Sequence, residues 1–302
     1  MKTHLLLIVF LLLLLNLFLS TCEPNRILTP TNTLTPILTS TYTPTLIPTP
    51  ILTLTQTLTP TPTTSPITMI CEAAAVENVG EFQAIMGDWG KGSLTGWSQC
   101  IGAIIDANGA LVGRWTWDWL NSGGNVKSFP AIVFGQLPSS TTTSTSLPAK
   151  INNIEMATVS YNVSSTHSGS GNLILHMWLT NTQNPTTWGV PPITHEIIIV
   201  LEVYGDMQPA VPSKKQVRID EISYDLSMGD DFGMGWRFIV FTRMPYQQGS
   251  GTLNLLNFFS IAQEEGFITG NEYLASISFG NEVVSGVGET NLKDYVVTIR
   301  QK

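Results

Sequence analysis

The sequence predicts an all-β fold, a two-sheet β-jelly roll or β-sandwich with one short helix and a concave cleft. Three observations lead there. From about residue 70 onward, short runs rich in β-branched and aromatic residues recur, each bounded by Gly, Pro, Asn or Ser. One stretch among them, LNLLNFFSIAQEEG (253–266), has apolar residues at helical spacing and ends on Gly266. One strand-like run, HEIIIVLEVYG (195–205), is apolar on both faces yet carries Glu196 near its start. An ionised carboxylate is costly to bury unpaired, so Glu196 sits either at a strand end in water or on the face of a cleft.

Taken in order, the chain divides into three expected parts: 1–22, 23–69 and 70–302. Residues 5–19, LLLIVFLLLLLNLFL, form an apolar block behind Lys2. The charge and length are those of a secretory signal peptide, while the leucine density and missing A-x-A site suit an uncleaved membrane anchor. Either way export is expected, to the medium or to the outer cell surface. LSTC at 19–22 loosely resembles a bacterial lipoprotein box, in which Cys22 would be lipidated. Loss of Cys22 during processing, or an idle thiol, stays open beside it, and so does membrane attachment through the N-terminus.

Residues 27–68 contain no charged residue and are dominated by Thr and Pro in a loose TP or TLTP repeat. Proline removes backbone donors and favours extended conformations, so this stretch reads as a semi-rigid tether. The remaining 70–302 is long enough for one all-β domain. It contains Cys71 and Cys100, and a bridge between them is the economical pairing in an exported protein. With 22 acidic against 14 basic residues and no Lys/Arg cluster, nucleic acid is not an expected partner. Aromatic residues in an acidic chain suit a neutral ligand with apolar faces, such as a sugar ring.

Strands are expected at 111–120, 156–163, 172–180, 195–205, 216–226, 235–244, 273–280 and 294–300. Trp115, Trp117 and Trp119 alternate along one strand and read as packing residues. In NLILHMWLT, Leu173, Leu175, Met177 and Leu179 share one face, and Asn172, Ile174, His176 and Trp178 the other. In 195–203, Ile197, Ile199, Leu201 and Val203 are expected on the core face, with Glu196, Ile198, Val200 and Glu202 opposite. Ser276, Ser278 and Glu282 share parity, although Glu282 follows Gly and Asn and by itself reads as a loop residue. Two glutamates on cleft-like faces permit the hydrolysis of a glycosidic bond, which uses one carboxyl group to protonate the leaving oxygen and a second to attack C1 or activate water.

The folded part also resembles glycoside hydrolase family 12. DWG (88–90), WDWLNSGGNVKSF (117–129), HEIIIVLEVYGDMQP and SISFGNEVVSGVGETNL match that family's blocks in order and spacing. The resemblance implies a β-jelly roll that hydrolyses internal β-1,4 bonds of glucans such as cellulose, mixed-linkage glucan or xyloglucan, with retention. It implies Glu196 as nucleophile, Glu282 as acid/base, Trp89 as a stacking platform, and a substrate surface that includes His176, Trp178, Ile198 and Val200. Cys71 and Cys100 fit the family's early disulfide. No metal or organic cofactor is implied, and a monomer is the default. The chain departs from the family where His176 stands in place of Asp and where Ile198 and Val200 replace Met and Trp. A non-catalytic carbohydrate-binding protein on the same jelly roll is the alternative, and the presence of both glutamates favours the enzyme.

Overall fold

The computed structural model describes residues 66–120, 124–189, 191–207, 212–230 and 234–302. The expected leader and nearly all of the tether lie outside the described residues. The domain is a sandwich of two sheets. One contains β3 (Ser98–Ile105), β4 (Leu111–Trp119), β7 (Ile154–His167), β13 (Gly249–Asn254) and the C-terminal half of β14 (Tyr273–Gln301). The other runs β1 (Val76–Val79), β2 (Phe82–Ile85), β5 (Ala131–Gly135), the N-terminal half of β14, β8 (Ser170–Thr180), β9 (Ile193–Tyr204), β12 (Arg237–Met244), β11 (Ile222–Gly229), β10 (Lys215–Ile219). A two-residue strand, β6 (Ala149–Lys150), adds to β14. Strand pairing is antiparallel except between β9 and β12.

The core lies between the sheets and is set by period-two alternation. Leu173, Leu175, Met177 and Leu179 of β8, with Ile197, Ile199 and Leu201 of β9, are fully buried. Trp115, Trp117 and Trp119 of β4 are buried as well, as their alternation predicts. Truncating one such side chain, Leu175→Ala for example, would cost about 2–5 kcal/mol. Helix α1 (Leu255–Glu264) starts where the Asn254 side chain accepts from the Leu256 N–H at 3.2 Å. It buries Leu255, Phe258, Phe259 and Ala262. Cys71 and Cys100 are joined in a disulfide.

Four sequence expectations are corrected. The stretch 216–226 is a hairpin: Asp220 and Glu221 both adopt positive φ (47° and 67°), the backbone of a tight two-residue turn, and split it into β10 and β11. The stretches 273–280 and 294–300 are one strand, β14, 29 residues long. It pairs with β8 up to Ser285 and with β4 from Gly286. At that crossing Gly286 has φ 93°, and a Cβ there would lie 2.0 Å from the Ser168 carbonyl oxygen, so a side chain does not fit. Glu282 therefore sits on a strand. His167 ends β7 and stacks on Tyr204 at 3.7 Å.

The fourth correction concerns the parity of β9. The β8–β9 register shifts between Leu173 and Ile174, so one extra residue of β9 is accommodated there. Past that bulge Val203 lines the cleft and Glu202 turns away to accept from Gln248 at 2.7 Å. Those two exchange the faces that simple alternation predicts.

Candidate active site

The outer face of the second sheet carries a cleft in two connected parts of about 800 and 600 Å³. Glu196 and Glu282 line both parts. Their strands explain why. Glu196 on β9 lies across from Trp178 on β8, and Glu282 on β14 lies across from Asn172 on the other edge of β8. All four residues point away from the core.

Each oxygen of Glu196 has its own nitrogen partner. His176 Nε2 lies 2.8 Å from Oε1, and Trp236 Nε1 donates to Oε2 at 3.0 Å. Trp178 packs edge-on against both partners, with ring centroids 4.7 Å from His176 and 5.3 Å from Trp236. Phe129 adds an edge contact to His176 at 5.8 Å. Burial pushes the Glu196 carboxyl up, but its contacts with His176 and with Trp236 outweigh that. The carboxyl is held below the ordinary glutamate value and stays ionised.

Glu282 is treated differently. Asn172 Nδ2 donates to its Oε2 at 2.6 Å, and Asn172 Oδ1 accepts from its backbone N–H at 3.1 Å. Behind this pair lies a buried network. Asn281 Nδ2 donates to the Asn172 carbonyl at 2.9 Å, while its Oδ1 accepts from Trp115 Nε1 and Thr290 Oγ1, both at 2.8 Å. Burial pushes the Glu282 carboxyl up against the Asn172 bond, and the charge on Glu196 pushes it further, so it lies above the ordinary value. The pKa values of two carboxyl groups in one cleft are thus pushed apart.

Aromatic residues stand at the mouth. Trp89 opens a 3-10 turn (Trp89–Lys91) and is 69% exposed. Its turn is anchored where Gly90 N–H donates to the Lys127 carbonyl at 2.9 Å. Trp188, 54% exposed, packs edge-on against Trp178 at 5.1 Å. Ile198 and Val200 lie on the floor, packed with Ile174, Phe238 and Val240. The cleft therefore gathers every residue that sequence reasoning placed at the site: Glu196, Glu282, Trp89, His176, Trp178, Ile198 and Val200.

It also adds Trp188, Trp236 and, as a direct partner of Glu282, Asn172. Trp236 was open to discovery, since it shares parity with Phe238, which pairs with Glu196 across β12 and β9. Trp188 sits in NTQNPTTWG, where no periodicity points anywhere.

A sandwich whose cleft sets two buried carboxyl groups in contrasting surroundings between aromatic walls has the architecture of an endo-acting glycoside hydrolase. The chain belongs to glycosyl hydrolase family 12, whose family model matches residues 85–300. It is 25% identical over 217 residues to Endoglucanase S of Pectobacterium parmentieri, covering 70% of this chain and 79% of that relative. Among solved structures, a family 12 xyloglucanase from Bacillus licheniformis in complex with ligand superposes with TM-score 0.67 at 25% identity, over 77% of this chain and 100% of that one. The endoglucanase Cel12A from Rhodothermus marinus has the same fold, with TM-score 0.66 at 21% identity, over 78% of this chain and 100% of that one.

Proposed function

We propose that the protein is an exported, retaining endo-β-1,4-glucanase with Glu196 as nucleophile and Glu282 as acid/base. The observation that carries this assignment is the pair of carboxyl groups in one cleft with different partners, Glu196 against His176 and Trp236 and Glu282 against Asn172. In the first step Glu282 gives its proton to the glycosidic oxygen as a carboxylate oxygen of Glu196 attacks C1. The C1–O bond to the leaving chain breaks and a glycosyl ester forms on Glu196. In the second step Glu282, now a carboxylate, takes a proton from water. The water oxygen attacks C1 and Glu196 departs as a carboxylate, so the configuration at C1 is retained. His176 and Trp236 receive the charge that returns to Glu196 in that step.

Trp89 and Trp188 serve as platforms for sugar rings, and Trp178 backs Trp188. The aliphatic floor at Ile198 and Val200 leaves room for a branched or kinked glucan, which favours xyloglucan or mixed-linkage glucan over crystalline cellulose. The partner is thus a β-glucan. Residues 1–22 direct export or anchor the chain, residues 23–69 act as a tether, and 70–302 form the catalytic domain, working as a monomer. Among the described residues no helix is long and apolar enough to cross a membrane.

Reducing-sugar release on carboxymethyl cellulose, lichenan, xyloglucan and xylan tests the assignment, with Glu196→Gln and Glu282→Gln beside the wild type. Activity on a β-1,4-glucan that both variants lose, with the β-anomer formed first by NMR, is expected. A folded domain that binds a glucan and hydrolyses none between pH 4 and 8 would leave a binding protein.

A further inference from the structure

The ring of His176 is asymmetric in its surroundings. Nε2 lies against Glu196 Oε1 at hydrogen-bond distance. A carboxylate only accepts, so the proton of that bond sits on Nε2. Nδ1 is buried and has no hydrogen-bond partner among the described residues. The ring edges meet Phe129 and Trp178, which offer no acceptor, and the Oγ of Ser278, across from His176 on β14, makes no bond to the ring. The titratable groups facing the ring are Glu196 on β9 and Glu282 on β14.

A neutral Nε2–H ring fits this cage with one idle lone pair. An imidazolium would bury a second N–H with nothing to receive it, the more costly arrangement. It would also lend a mobile proton to the one carboxylate that must attack as an anion.

Resting on the assignment of Glu196 as nucleophile, we propose that His176 is a positioning residue whose neutral Nε2–H form is the active one, and that uptake of a proton at Nδ1 switches the enzyme off in acid. His176 acts here through its contact with Glu196.

The test uses the full chain, by ¹⁵N NMR of the histidine ring and by kcat/KM against pH. The NMR signature of a neutral Nε2–H ring is expected at pH 7, with Nδ1 gaining its proton in step with the acid limb. His176→Gln keeps an N–H near the Nε2 position and cannot titrate. Its activity at pH 7 is expected within about tenfold of wild type, with the acid limb moved down by about one pH unit or more. His176→Leu, which has no donor, is expected to lose about 10²-fold, as for other donors to a charged reaction centre. A ring already doubly protonated at pH 7, or a His176→Gln acid limb that stays put or moves up, overturns the proposal. The NMR result stands apart from turnover, so an active Glu196→Gln variant would remove the catalytic assignment and leave the ring's protonation state measured.

Discussion

Asn172 holds Glu282 at two points, donating from its amide to the carboxylate at 2.6 Å and accepting the Glu282 backbone N–H on its side-chain oxygen at 3.1 Å. A hydrogen bond to the ionised form favours that form, so Asn172 works against the burial that pushes the Glu282 carboxyl up. Asn172→Ala removes this opposition. The Glu282 pKa should rise and the alkaline limb of kcat/KM should move to higher pH. The looser carboxyl should also lower kcat by about tenfold, in keeping with the ~1–3 kcal/mol of a charge-assisted bond. A pH–rate profile of the variant decides it, and an alkaline limb moving down would contradict the arrangement described.

The charge on Glu196 raises the Glu282 carboxyl as a secondary cause after burial. In Glu196→Gln that charge is gone, so the Glu282 pKa should fall relative to wild type. It should stay above the ordinary value, because burial remains. A ¹³C titration of the Glu282 carboxyl in both proteins measures the difference directly.

The same burial has a thermodynamic sign. A carboxyl whose pKa is raised on folding lends stability below its unfolded value, and that stability is lost as pH rises through the folded value. Ionising Glu282 therefore costs the native state at neutral pH. Glu282→Gln should melt higher than wild type at pH 7 to 8, with the gap closing toward pH 4. Melting curves at both ends of that range are sufficient, and equal Tm values at pH 8 would refute it.

Trp89 and Trp188 are both exposed, yet different things hold them. Trp188 leans on Trp178, whereas Trp89 rides on a short turn tied to the Lys127 carbonyl. As ring platforms each should contribute about 0.5–1.5 kcal/mol of binding. Trp89→Ala and Trp188→Ala should each raise KM up to about tenfold on oligosaccharides, with smaller changes in kcat. A fall in kcat at constant KM would place the tryptophan in the reaction itself.

The disulfide closes a loop of 29 residues between Cys71 and Cys100. Loop-closure entropy for that length is about 3–4 kcal/mol. Cys71→Ser with Cys100→Ser should lower the unfolding free energy by up to that amount, as read from urea melts at fixed pH, with the kcat of the folded fraction preserved.

Much of this site was legible before any coordinates. Alternation along β8 and β9 sorted Ile197 from Ile198 and Leu175 from His176, because period two is a geometric property of strands. It failed at Val203, where a bulge inserts one residue and reverses the faces; a bulge leaves little trace in an apolar run. The hairpin at Asp220–Glu221 escaped for a related reason. Neither residue is Gly or Asn, the usual tenants of positive φ, so the turn was not announced. Trp188 was hidden because a loop has no period to read. Asn172 was seen to face the cleft, but its grip on Glu282 depends on a cross-strand register that only the folded sheet defines.

β14 passes from one sheet to the other at Gly286, and Glu282 lies four residues before that crossing. Glu282 is thereby mounted on the girder that joins both layers, and its neighbour Asn281 is bolted to Trp115 in the opposite layer. Neither layer can come apart and leave Glu282 aligned. Heat inactivation and global melting should thus keep one clock, with no interval in which a folded shell outlives its chemistry.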